Sequence, residues 1–153
     1  MIRKIIIPLI LFLVLNNCGY SPIYSTKYQD FKINNLNFKG ERKINEILRK
    51  NLVSYTKIDS AKNLYDVTIS SSLNKNIDSK DKKGNPAQFS LRINVDLIIV
   101  DQFDKTLQIN FNEKNSYNNK DKKFELKIYE NSLIQNMSEK ILSDIILFFQ
   151  NLN

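Results

Sequence analysis

Phe89-Ser90-Leu91-Arg92-Ile93-Asn94-Val95-Asp96-Leu97-Ile98-Ile99 is the stretch that decides the fold. Its odd positions are all apolar, and Ser90, Arg92, Asn94 and Asp96 stand between them. Successive side chains of a strand point to opposite faces, so this alternation specifies a half-buried β-strand with one wet face. Upstream, Tyr65, Val67, Ile69, Ser71 and Leu73 repeat the pattern against Asp66, Thr68, Ser70 and Ser72. Downstream, Leu107, Ile109 and Phe111 alternate with Gln108, Asn110 and Asn112. The short connector Asp101–Lys105 makes the last two strands a hairpin. Two polar, lysine-rich segments, Lys75–Ala87 and Glu113–Lys123, read as loops, and the first carries the turn signal Gly84-Asn85-Pro86.

Further out the period changes. Phe31, Ile33, Leu36 and Phe38 predict a first strand with an irregularity near Asn35, ended by Gly40. Over Glu41–Leu52, the residues Ile44, Ile47, Leu48 and Leu52 fall on one helical face, opposite Glu41, Arg42, Glu46 and Arg49. From Phe124 onward, Leu126, Tyr129, Leu133, Met137, Ile141, Ile145 and Phe148 form a second stripe, widened by Ile134, Leu142, Ile146 and Phe149. This predicts a helix of about 25 residues that covers the sheet, since a sheet with one apolar face must bury it against another layer. The expected order is β-α-β-β-β-α: an α+β two-layer sandwich, with a four-stranded mixed or antiparallel sheet covered by two helices.

The N-terminus reads differently. Ile2-Arg3-Lys4 opens a positive segment, and Ile5–Leu15 is apolar apart from Pro8. As a helix it would reach roughly 16 Å, about half of a hydrocarbon core, which fits a signal peptide and not a membrane span. The competing reading is a buried N-terminal helix. Leu15-Asn16-Asn17-Cys18-Gly19 resembles a lipobox, although Asn16 and Asn17 replace the usual small residues. Cys18 is the sole cysteine and has no disulfide partner in the chain. Residues 1–17 are therefore expected to be a signal peptide, 18–30 a tether carrying lipid on Cys18, and 31–153 a single domain. Gly19 stands where an aspartate would commonly retain a lipoprotein at the inner membrane, so sorting to the outer membrane is expected. Loss of Arg3 and Lys4 takes the formal charge from +7 to +5. A basic surface raises nucleic acid as a partner. Export argues against it and favours anionic lipid.

Catalytic chemistry is hard to place. There is no histidine, which removes Ser-His-Asp and Cys-His catalysis and the usual zinc sites. Three glycines supply no phosphate-binding loop. Carboxylate pairs of the glycosidase kind remain, but Asp66 and Asp96 fall on wet strand faces. The chain is read as a binding protein with no enzyme activity, cofactor or metal.

Three stretches carry a family resemblance. Cys18-Gly19-Tyr20-Ser21-Pro22-Ile23-Tyr24 looks like the mature start of lipopolysaccharide-assembly lipoproteins of the LptE type. Arg92–Asp101 followed by Lys105-Thr106-Leu107 is similar to that family's central hairpin. Ser116-Tyr117-Asn118, Phe124, Tyr129-Glu130 and the long helix resemble its C-terminal part, particularly in alphaproteobacterial members, although Lys127, Asn131, Ser132 and Ser138 replace the alanines common there. The resemblance implies an outer-membrane lipoprotein that plugs an LptD-type β-barrel, helps it fold, and places lipopolysaccharide at the cell surface, binding it as well. An auxiliary lipoprotein of an ABC-type lipid transporter is the alternative.

Connectivity suggests where lipopolysaccharide would be met. In an up-down meander the two lysine-rich loops share one end, and Asp101–Lys105 lies at the other. Each loop carries a net +2 and the connector −1, with eight lysines on the loops. Lys80, Lys82, Lys83, Lys120, Lys122 and Lys123 are the candidate contacts for lipid A phosphates, and Arg92 is the next. The plainer reading is two solvated loops in a sequence rich in Lys, Asn and Ile throughout.

Overall fold

The computed structural model describes residues 31–59 and 61–152; the expected signal peptide, the expected tether and Cys18 lie outside them. The chain order is β1 (Phe31–Gly40), α1 (Arg42–Leu52), a 3-10 turn (Val53–Lys57), β2 (Asn63–Lys80), β3 (Pro86–Asp101), β4 (Thr106–Asn118) and α2 (Lys123–Asn151). The strands form one open sheet in the order β1-β2-β3-β4. β1 pairs with β2 in parallel, which requires a crossover, and α1 supplies it. The other pairs are antiparallel. This is the expected α+β arrangement with a mixed sheet and two helices.

Alternation fixes the register. Ile69 faces Leu97, which faces Ile109, so the apolar rows of the three long strands coincide. The register of β1 shifts between Ile33 and Asn35, where the apolar positions change from Phe31 and Ile33 to Leu36 and Phe38. One bulged residue is what keeps all four on the core face. The core gathers Phe31, Ile33, Ile44, Leu48, Ile69, Leu97, Ile99, Ile141 and Phe149, all of them buried. Phe31 stacks between Tyr55 and Phe149, with ring centroids 5.2 and 4.9 Å away.

The turn from β1 into α1 needs Gly40. Its φ is +89°, and a Cβ there would lie 1.9 Å from the backbone oxygen of Ser71. Just beyond it, Asn45 is buried on α1, although its helical position reads as neither core nor cap. Its amide donates to the Lys39 carbonyl at 3.0 Å, and its Oδ1 accepts from the Ser71 hydroxyl at 2.7 Å. Ile47, expected on the core face, is only half-buried.

Two loop expectations are corrected. Lys75–Ala87 is not one loop: β2 runs on to Lys80, β3 begins at Pro86, and only residues 81–85 turn. Glu113–Lys123 likewise contains β4 as far as Asn118. Apart from Ile77 and Tyr117 these segments are polar on both faces and so carry little period-two signal, but the neighbouring strand satisfies their backbone groups all the same. At about 3.3 Å per residue β2 spans about 60 Å, whereas α2 at 1.5 Å per residue spans about 43 Å. The hairpin therefore outruns its cover, and apolar residues are not required there. Tyr129 and Phe148, expected on the core stripe of α2, sit at its margin, and Ser138 is fully buried with its hydroxyl donating to the Ile134 carbonyl at 2.7 Å.

Both helices cover one face. The other face has no covering layer among the described residues and displays Asp66, Thr68, Ser70, Ser72, Asn94, Asp96, Asn110 and Asn112 in cross-strand rows. Asp66 accepts from the Asn35 amide at 3.0 Å and Asp96 from the Asn110 amide at 2.8 Å, so both carboxylates are bound into the sheet surface.

Candidate functional site

The β2–β3 turn and the segment after β4 lie at the same end of the sheet, and Asp101–Lys105 lies at the other. Asn119 joins the two: its N–H donates to the Ala87 carbonyl at 2.8 Å and its side-chain amide to the Pro86 carbonyl at 2.7 Å. The turn is organised by Asp81, which accepts from the N–H groups of Lys83 and Asn85 at 2.8 and 2.9 Å. The Asn85 backbone and side-chain donors lead in holding the Asp81 carboxyl below its usual range. Gly84, at φ +84°, closes the turn with open space around it.

This arrangement leaves Lys80, Lys82 and Lys83 exposed at the tip. Lys120, Lys122 and Lys123 are exposed beside them and lightly engaged: Lys120 lies 4.7 Å over the Tyr129 ring, Lys122 pairs with Glu125 at 3.0 Å, and Lys123 reaches the Asn119 side-chain oxygen at 3.2 Å. Gln88, Ser116, Tyr117, Asn119, Lys120 and Tyr129 surround a shallow cleft of about 490 Å³. Six of the eight lysines thus stand at one end. Lys75 and Lys114 do not: they sit within strands, about 17 Å back from the tip in the case of Lys75 at five residues' distance. Arg92 is also separate. It is exposed on the open sheet face, cross-strand from Lys114.

Lys75 has another task. Its ammonium lies 2.6 Å from Glu130 and 4.3 Å over the Phe89 ring, and the Tyr117 hydroxyl donates to the same Glu130 oxygen at 2.6 Å. Burial would raise the Glu130 pKa, but hydrogen bonds from Lys75 and Tyr117, with the charges of Lys75 and Lys123, outweigh it and hold the carboxyl below its ordinary value. Burial first, then the hydrogen bond to Glu130 and its charge, push the Tyr117 hydroxyl well above its ordinary range. The sequence reading missed this network. Its signal was the odd-numbered row of β4 running on through Glu113 and Asn115 to Tyr117, and the place of Glu130 one turn beyond Leu126.

The groups that converge at this end are hydrogen-bond donors and cations around one carboxylate. Glu130 is occupied by donors, and among the described residues no cluster of His, Cys, Asp or Glu is placed to hold a metal. No helix of the described residues is long and apolar enough to cross a membrane.

No protein-family model matches the chain, and no curated protein matches it in sequence. Solved structures do match in fold. Rare lipoprotein B from Shewanella oneidensis superposes with a TM-score of 0.55 at 16% identity, over 78% of this chain and 98% of that one. Lipoprotein B from Nitrosomonas europaea gives 0.52 at 15%, over 76% and 81%. A minor lipoprotein from Acinetobacter baumannii gives 0.51 at 13%, over 77% and 92%. The chain has the fold of these bacterial lipoproteins, of the rare lipoprotein B and minor lipoprotein type.

Proposed function

We propose that this chain is an outer-membrane lipoprotein of the LptE-like, lipopolysaccharide-assembly type, anchored by acyl chains on Cys18 and working as plug and assembly factor of an LptD-type β-barrel. The observation that carries the reading is the fold it shares with rare lipoprotein B over nearly all of that protein's length. The Cys18–Tyr24 sequence supports it from outside the described residues, and more than one buried acyl chain makes for stable anchoring. The uncovered polar sheet face suits the water-lined interior of a barrel. The six lysines at the hairpin end supply a field that attracts the phosphates of lipid A.

Purification of the full chain from outer membranes in mild detergent tests the reading. A one-to-one complex with a β-barrel, and loss of surface lipopolysaccharide on depletion, are expected. Recovery with an inner-membrane ABC transporter would establish the auxiliary-lipoprotein alternative instead. Cys18→Ala should abolish labelling with palmitate. Joint replacement of Lys80, Lys82, Lys83, Lys120, Lys122 and Lys123 by glutamine should weaken lipopolysaccharide binding and its salt dependence while barrel association persists. Unchanged binding would move the site to the open sheet face, at Arg92.

A further inference from the structure

The outer edge of β4 is a long template with no strand of the described chain beside it. Asp101 N–H donates to the Lys105 carbonyl, and Asn119 N–H to the Ala87 carbonyl, so the odd residues of β4 direct their backbone groups to β3. The even residues from Thr106 to Ser116 direct theirs outward. Thirteen residues run without proline, and their ladder with β3 has no register shift. The opposite edge is different: β1 is interrupted by its bulge, and the 3-10 turn packs along it. Bulges, prolines and covering segments are the usual protections of an edge, and among the described residues β4 has none of these. Its core-side row is also under-covered, with Leu107 exposed at 41% and Ile109 and Phe111 half-buried.

We propose that this edge docks a second copy of the chain, β4 against β4, antiparallel about a two-fold axis through Ile109. Pairing must join even residues to even ones, because only those carry outward backbone groups. With the axis at Ile109, Gln108 hydrogen-bonds to the partner's Asn110 and Thr106 to the partner's Asn112. Ile109 meets its own copy, and Leu107 meets the partner's Phe111. Just before the strand proper Lys105 stands opposite the partner's Glu113, while Asp104, at φ +60° in the preceding turn, lies outside the ladder. Every row is apolar with apolar, amide or hydroxyl with amide, or opposite in charge, and cross-strand pairs of these kinds stabilise a sheet. Moving the axis one residue forward sets Leu107 against Glu113; moving it one residue back sets Lys105 against Phe111. The register is therefore selected by the sequence of β4. The product is a continuous eight-stranded sheet with the helices of both copies on one face. This concerns the chain before it meets another partner, and it does not rest on the barrel reading.

The test uses the full chain, acylated at Cys18 and held in detergent, with one cysteine introduced. Under mild oxidation Ile109→Cys should crosslink to a covalent dimer, since the two copies meet on the axis. Asn115→Cys, six residues from the axis on each chain, should not. Sedimentation should show a dimer for the unmodified chain. Asn110→Pro removes an outward N–H and leaves the β3 ladder whole, so it should raise the dimer dissociation constant about tenfold or more without unfolding the domain. A chain that is monomeric at all concentrations, equal crosslinking at both positions, or a dimer indifferent to Asn110→Pro would overturn the proposal.

Discussion

Where β1 begins, Phe31 lies stacked between Tyr55 and Phe149, and fully buried Ile33, Ile99, Ile141 and Ile145 belong to the same cluster. At the opposite end Lys75 and Tyr117 converge on the carboxylate of Glu130, and the strands beyond carry Asn, Ser and Lys on both faces. Both ends are the same sheet with an unbroken β3–β4 ladder. The difference is the cover. Two helices reach the first end, and only the opening turns of α2 reach the second. Burial of apolar area holds the covered end, while backbone pairing and one ionic network hold the other. A surface held that way tolerates dense positive charge, and the six lysines stand there.

The covered half should be the more sensitive to lost packing. Ile141→Ala, at a site with no exposure, should cost about 2–5 kcal/mol, whereas Ile77→Ala near the tip, half exposed, should stay within about 0.5 kcal/mol. Urea unfolding of both variants measures the contrast. Similar losses would mean that the hairpin end carries as much packing as the core.

The glycines repeat the contrast at the backbone. Gly40→Ala forces a left-handed φ on alanine, about 1–3 kcal/mol, and drives its Cβ into the Ser71 carbonyl, so the β1–α1 junction must shift. Gly84→Ala has the same φ problem without the collision and should cost about 1–2 kcal/mol. Thermal unfolding should rank Gly40→Ala well below Gly84→Ala.

Asn45→Ala should cost about 1–3 kcal/mol, because it leaves the Lys39 carbonyl without its side-chain donor and the Ser71 hydroxyl with only the longer bond to the Glu41 carbonyl, at 3.2 Å, in a buried junction. Amide exchange should rise first in β1 and α1, with the hairpin end unaffected. A loss spread evenly over all strands would show that the two ends are not independent.

The smallest effect concerns Glu130. Its folded pKa lies below the ordinary glutamate value of 4.5, so its contribution is present above that value and fades as pH falls through the folded pKa. Tyr117 works in reverse: its raised pKa means a contribution complete below about 10 and lost at higher pH. Glu130→Gln should remove the acid limb of the stability–pH profile and lessen the alkaline one, which burial of Tyr117 leads, as measured by denaturant midpoints. A profile unchanged by the substitution would remove the network from any role in holding the hairpin end.

Much of this was legible in the residues themselves. Period-two alternation gave the strands their faces, the 3.6-residue stripes gave both helices, and the misfit between Ile33 and Leu36 announced the bulge. The end shared by the lysine segments followed from connectivity alone. Local pattern failed where the physics was not local. Residues 75–80 and 113–118 read as loops because a strand almost wholly polar on both faces has little hydrophobic period, yet a partner strand satisfies its backbone whatever its side chains are. Asn45 became a buried junction residue only because Gly40 brings β2 within reach. Lys75, Tyr117 and Glu130, which are 42 and 13 residues apart along the chain, became one site only when α2 lay across the hairpin. Which faces must be buried follows from the residues alone, since that depends on side chains a few positions apart. How far the sheet outruns its helices, which lysines stand together and which strand edge is left open are settled by the packed fold, because they depend on the relative lengths and placement of elements distant in the chain.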